Sequence, residues 1–216
     1  MDYHRHKDHF NKAYATGTDI WTPLVIPLRG MKLLKNLPKG ATILDVGSGR
    51  GLFAKTLAEA GFKVIGIDFE NAIVDKANRE IKNWKLEGKV KFLVADALKL
   101  PFVDGSFDGA CAFGLMENLH AEDWPKYADE IKRVLKPGGF YLNTSFSRKT
   151  LNFLNFSPIN SPDGELEKHG IHYHFFEEIE MANIFDKKLT LISQNIEFIK
   201  KPVELALLES LFQKPK

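Results

Sequence analysis

From Ala41 onward the chain alternates short apolar runs with amphipathic stretches. Residues 42–46 form a near-continuous apolar run, which predicts a strand buried on both faces. The same pattern recurs at 62–67, ending at Asp68, and at 90–94, followed by Asp96. Residues 107–113 and 140–144 are a fourth and a fifth run. Between them lie helical periods at 51–60, 71–86 and 122–135. The second carries Ile73, Val74, Ala77, Ile81 and Trp84 on one face. Lys136-Pro137-Gly138-Gly139 reads as a hard stop before the fifth strand. Strands alternating with helices imply right-handed βαβ units, hence an α/β, doubly wound, mostly parallel sheet with helices on both faces.

The two ends of the chain read differently. Residues 1–21 are polar and aromatic with little clear period. Residues 23–36 read as a helix, with Pro27 as a break or a late start. Residues 148–174 contain Pro158, Pro162, Gly164 and Gly170 and read as loop or insertion. Residues 175–185 read as a helix. Residues 189–199 and 203–212 read as two strands closed by Lys200-Lys201-Pro202. No linker divides the chain, so we expect one domain over 1–216. It comprises an N-terminal lid or extension at 1–37, a ligand-binding core at 40–147, and an acceptor-side insertion with a terminal hairpin at 148–216.

Composition narrows the class. The chain has 216 residues, 44% of them hydrophobic, with a formal net charge of +2. That is too apolar and too weakly charged for a disordered chain, and it leaves no strong nucleic-acid footprint. One cysteine, Cys111, excludes an internal disulfide framework and a multi-cysteine zinc site. Neither a secretory signal nor a membrane-length apolar run is visible, so the expected address is the cytoplasm.

The strongest chemical signal is Asp45-Val46-Gly47-Ser48-Gly49-Arg50-Gly51, where a strand turns into a helix. Glycine there lets the backbone turn tightly and approach a ligand, and the free N–H groups of the helix start suit a nucleotide or a carboxylate. The dinucleotide fingerprint wants a third glycine at position 52, where Leu52 stands. Asp45 suits an ammonium group better than a phosphate. Asp68, about 20 residues past the loop, has the spacing of a ribose-binding carboxylate. Asp96, with Ala97, can take the exocyclic amine of a purine. Together they describe a ligand with adenine, ribose and an amino-acid end.

This constellation resembles the class I S-adenosylmethionine-dependent methyltransferases. Supporting matches are Gly66-Ile67-Asp68-Phe69, Ala95-Asp96-Ala97 before Leu100-Pro101-Phe102, Asp104-Gly105-Ser106-Phe107-Asp108, and Arg133-Val134-Leu135-Lys136-Pro137-Gly138-Gly139. The resemblance implies a seven-stranded Rossmann-like sheet with an antiparallel terminal strand. It implies S-adenosylmethionine as cofactor, with S-adenosylhomocysteine as product. It assigns cofactor binding to Asp45, Gly47, Ser48, Gly49, Gly51, Asp68, Phe69, Asp96, Ala97 and Phe113. The lid adds Trp21, which with Tyr3 and Tyr14 is expected to close over the cleft.

The expected reaction is in-line methyl transfer to a small-molecule acceptor by a monomer or homodimer. Ala112-Phe113-Gly114-Leu115 is not a base-methylating motif, and the chain has no separate docking domain. His172 and His174 are the candidate bases, since histidine titrates near neutrality. No metal is expected, because nothing in the spacing of His172, His174 and Glu177 fixes a ligand geometry. The acceptor pocket is expected to draw its walls from 145–174, 113–118 and the lid. The rival readings are a silent S-adenosylmethionine-binding protein, a methyltransferase acting on protein or RNA, and a nicotinamide-dependent oxidoreductase.

Overall fold

The computed structural model describes residues 3–16, 31–168, 170–200 and 204–216. Two helices, α1 (His4–Thr16) and α2 (Met31–Asn36), precede the sheet. The alternating region then runs β1 (Thr42–Val46), α3 (Leu52–Glu59), β2 (Lys63–Asp68), α4 (Asn71–Trp84), β3 (Val90–Val94), β4 (Phe107–Phe113), α5 (Trp124–Val134) and β5 (Leu135–Phe146). After it come β6 (Glu165–Lys168), β7 (Ile171–His174), α6 (Glu178–Phe185), β8 (Thr190–Ile199) and β9 (Leu205–Gln213).

One sheet has the order β3-β2-β1-β4-β5-β9-β8. The strands β1 to β5 are parallel neighbours, and β9 enters antiparallel between β5 and β8. The order reverses at β1/β4, so the carboxyl ends of those strands open the crevice where such sheets take ligands. This is the seven-stranded α/β sheet with an antiparallel terminal strand that the resemblance implied.

Two family-like segments turn out to be structural pins. Arg133 on α5 ties the β3–β4 loop with bonds to the carbonyls of Leu100 and Phe102 and to Asp104. Asp108 accepts the Thr42 N–H at 2.9 Å and pairs with Lys136. The edge strand β3 is hooked by Asn78 of α4, which bonds both the N–H and the C=O of Phe92.

The structure departs from the sequence reading in three places. The helix does stop ahead of Lys136-Pro137-Gly138-Gly139, but that segment already lies within β5, so the strand starts earlier than the expected residue 140. There the Gly138 N–H bonds the Lys214 carbonyl and Gln213 bonds the Gly138 carbonyl. Residues 148–174 are not all loop, since β6 and β7 pair as a two-stranded ribbon. The ribbon's apolar positions, Leu166, Ile171 and Tyr173, are too few to stand out as a period-two run. Finally, the helix expected at 23–36 is described only over Met31–Asn36, its first part lying outside the described residues.

Apolar residues collect in three clusters. Two cover the faces of the sheet. The third holds Phe146, Phe153, Ile171, Tyr173, Phe175, Ile199, Leu205 and Leu207.

Candidate cofactor and acceptor site

A cavity of about 230 Å³ lies at the carboxyl ends of β1 to β4. Gly47, Asp68 with Phe69, Asp96 with Ala97, and Phe113 with Gly114 line it. From the far side come Tyr3, His6, Phe10 and Tyr14, from α1 and the residue before it. Leu115, Asn118 and Leu119, just after β4, complete the wall.

The turn is held by its own backbone. The Ser48 N–H donates to the Ile67 carbonyl and the Gly51 N–H to the Ser48 carbonyl, each at 2.8 Å. Gly47, Gly49 and Gly51 all sit at positive φ, where a side chain is strained. Their neighbours differ. A Cβ on Gly49 would meet the Tyr14 hydroxyl at 2.8 Å, and one on Gly51 would meet the Phe92 ring at 2.3 Å. Gly66, across the sheet, also yields to Phe92, at 2.4 Å. Only Gly47 of the three loop glycines lines the cavity. Ser48, Gly49 and Gly51 shape the turn behind it.

Both Asp68 oxygens accept backbone N–H groups, Oδ2 from Gly49 and Oδ1 from Glu70, each at 3.0 Å. Each oxygen keeps further acceptor capacity toward the cavity. Burial pushes the Asp68 carboxyl up to about 6, against the pull of those N–H groups. Asp96 accepts the Leu98 N–H at 2.8 Å and faces the same cavity. Asp45 is buried and does not line it. Its Oδ2 has no hydrogen-bond partner, Cys111 contacts its Oδ1, and burial pushes its carboxyl up to about 7.

The structure brings together Gly47, Asp68, Phe69, Asp96, Ala97 and Phe113. Trp21 lies outside the described residues, whereas Tyr3 and Tyr14 do line the cavity. His172 and His174 do not line it. His172 stacks on His120 with ring centroids 4.7 Å apart. His174 is buried, with Nε2 at 2.9 Å from Glu180 Oε2.

The histidine that reaches the cavity is His6. Burial, with His120 and His172 nearby, pushes it down to about 4, so it is neutral near pH 7. The sequence reading missed it. The signal was present, because Tyr3, His6, Phe10 and Tyr14 follow the helical spacing of one face. Residues 145–174 also contribute nothing to the cavity wall among the described residues. Phe146 packs tilted against Phe153 at 5.1 Å and stacks on Phe175 at 5.2 Å, so those aromatics make a core of their own.

A glycine turn open to the cavity, followed by carboxylates at successive strand ends, fits a ligand with an amino-acid end, a ribose and a purine. The fold is a doubly wound α/β sheet with its crevice at the carboxyl ends of β1 and β4. A family model described as a methyltransferase domain matches residues 43–139. The chain is 38% identical over 136 residues to the demethylmenaquinone methyltransferase of Thermus thermophilus, covering 61% of this chain and 57% of that protein. It is 36% identical over 117 residues to a 2-methyl-6-phytyl-1,4-hydroquinone methyltransferase of Synechocystis, covering 54% and 35%. The chain thus spans roughly half the length of the curated relatives it matches.

Its fold is similar to that of a Burkholderia thailandensis 1,6-didemethyltoxoflavin-N1-methyltransferase solved with 1,6-didemethyltoxoflavin and S-adenosylhomocysteine. The TM-score is 0.79, the identity 21%, and the coverage 98% of this chain and 88% of that one. Residues 43–139, a little under half of the chain, thus match a methyltransferase domain, and the chain is similar in sequence and in fold to methyltransferases, one of them solved with S-adenosylhomocysteine.

Proposed function

We propose that the protein transfers a methyl group from S-adenosylmethionine to a small, flat, largely apolar acceptor. The observation that carries this reading is the single cavity shared by the acidic strand ends and by α1. When bound, S-adenosylmethionine supplies an electrophilic methyl group. Gly47 leaves room for its amino-acid end, Asp68 accepts from ribose hydroxyls, Phe69 flanks the adenine, and Asp96 with Ala97 receives its amine. Phe113, Gly114 and Leu115 then border the acceptor's end of the cavity. In-line transfer needs mainly alignment and exclusion of water. Tyr3, Phe10 and Tyr14 supply the apolar wall on that side.

His6 borders the cavity as a neutral imidazole whose Nε2 accepts from the His172 N–H at 3.4 Å, which leaves Nδ1–H to donate to a polar group of the acceptor. The quinone and hydroquinone relatives support a hydroxylated ring as the acceptor class. We further propose that residues 3–16 act as the lid. The test begins with calorimetry of S-adenosylmethionine against NAD, where only the former should bind. A labelled-methyl screen over small-molecule pools, with and without hydroxylated rings, then tests transfer. Binding without transfer to any acceptor would favour a silent binding protein. Hydrogen exchange in residues 3–16 that does not slow when S-adenosylhomocysteine is added would refute the lid.

A further inference from the structure

The β6–β7 ribbon carries a cluster that the cavity does not use. In its register Glu165 lies directly opposite His174, so the two share one face. His172, two residues earlier on β7, projects to that same face. One ligand atom from each of these residues lies within 4.8 Å of the others.

Both imidazoles hold a buried ring nitrogen without a hydrogen-bond partner, Nε2 of His172 and Nδ1 of His174. His174 is only 3% exposed. Its Nδ1 is 3.5 Å from Glu165 Oε1, while its Nε2 meets Glu180 Oε2 at 2.9 Å. Glu180 is itself fixed, since its side chain closes a capping box with Glu177 at the start of α6.

An Nε2–H donated to Glu180 leaves Nδ1 a bare lone pair aimed at a carboxylate. Two such groups repel unless a proton or a metal cation sits between them. A carboxylate behind a ligating histidine is also the usual way its ring is oriented and its basicity raised. Trp124 and Phe176 wall the His174 ring at 4.8 and 4.5 Å and keep the cluster dry on that side.

We propose that Glu165, His172 and His174 bind one zinc-type divalent cation, through one carboxylate oxygen, Nε2 and Nδ1 respectively, with water in the fourth position. Two imidazoles and one carboxylate suit a borderline ion such as zinc, and not magnesium. The ion ties the ribbon to the cofactor cavity. Asn118, which lines that cavity, donates to the His172 carbonyl at 2.8 Å, and the His172 N–H points to His6 Nε2 at 3.4 Å. Sequence spacing had suggested no metal, because Glu165 joins the histidines only through strand pairing.

The test uses the untagged full chain, stripped with a chelator and titrated with zinc against a chromophoric competitor. One equivalent should bind, and excess magnesium should not displace it. Glu165→Gln, at a side chain 46% exposed, leaves the fold intact and should weaken zinc binding at least ~100-fold. Glu180→Gln should weaken it by about 10- to 100-fold, as expected for a partner behind the ligand. His9→Ala, outside the cluster, should bind as wild type. Failure to take up one equivalent of zinc overturns the proposal, and so does undiminished binding by the Glu165→Gln protein. Neither result bears on S-adenosylmethionine binding, which calorimetry reads separately.

Discussion

The β1–β4 half of the sheet and the stretch beyond β5 are built on different logic. In the first, residue identity is dictated by backbone geometry at strand ends, where glycines turn the chain and carboxylates cap N–H groups while facing a cavity. In the second, aromatic residues are held by one another. Phe146, Phe153, Tyr173 and Phe175 form a small core, and Phe113 is the residue that both backs onto that core and lines the cavity. Substitutions at the strand ends of the first region should therefore alter cofactor binding, and those in the aromatic core of the second should alter stability alone.

The largest effect is expected where the two regions meet. Glu117 is fully buried, and the Ser145 side chain only partly offsets the burial of its carboxyl. Burial pushes its carboxyl up to about 8. The neutral form is thus the one the fold favours. Its stabilisation is fully present below the ordinary value of 4.5 and is lost as pH rises through about 8. Denaturation of the ligand-free protein should show stability falling from pH 5 to pH 9, with Glu117 contributing up to about 4–5 kcal/mol. Glu117→Gln should remove its share of that fall, which spans the window from 4.5 to about 8. An unchanged slope would mean that the carboxyl is solvated in solution.

Phe153→Ala should cost about 3–5 kcal/mol of stability, as for other large aromatic truncations. Cofactor affinity, measured by calorimetry well below the melting temperature, should stay within twofold of wild type. A tenfold loss there would break the division between the regions. Gly66→Ala comes next, at about 1–3 kcal/mol of overpacking against Phe92. Phe92→Leu in the same chain should recover part of the lost melting temperature. If it does not, the ring is not the obstacle.

Asp68→Ala should weaken S-adenosylmethionine binding by roughly 1–3 kcal/mol through lost hydrogen bonds, and Asp68→Asn should restore some of it. Equal affinity for all three proteins would remove Asp68 from the site. The smallest effect is expected for His172→Ala, made without added zinc, which should leave cofactor affinity unchanged in calorimetry because His172 lies off the cavity.

The same division explains what could be read from the sequence. The strand bounds of β1, β3 and β4 and the positions of Asp68 and Asp96 follow from local rules: apolar runs, glycine turns and acids at strand ends. The ribbon and the third cluster were not legible, because their logic is pairing between distant residues. Glu165 meets His174 only through register, and Phe146 meets Phe153 and Phe175 only after the chain has doubled back. Expecting residues 145–174 to wall the acceptor pocket mistook a core for a surface. His6 was hidden for another reason: helix α1 is polar overall, and its cavity-facing stripe is visible only when Tyr3, His6, Phe10 and Tyr14 are counted together. Gly51 and Gly66 carry a further lesson, since both yield to Phe92 and neither lines the cavity.

The position of β9 bears on how the chain can be assembled during synthesis. β8 is made first, yet its neighbour in the sheet is β9, which also supplies the antiparallel partner of β5. Until residues 205–213 emerge, β5 presents an unpaired edge and β8 has no place to dock. The parallel half can form early from contacts already made, whereas completing the sheet waits on a late hairpin inserted along that edge. Nascent chains halted before Leu205 should therefore offer chaperones a strand edge that the finished protein hides.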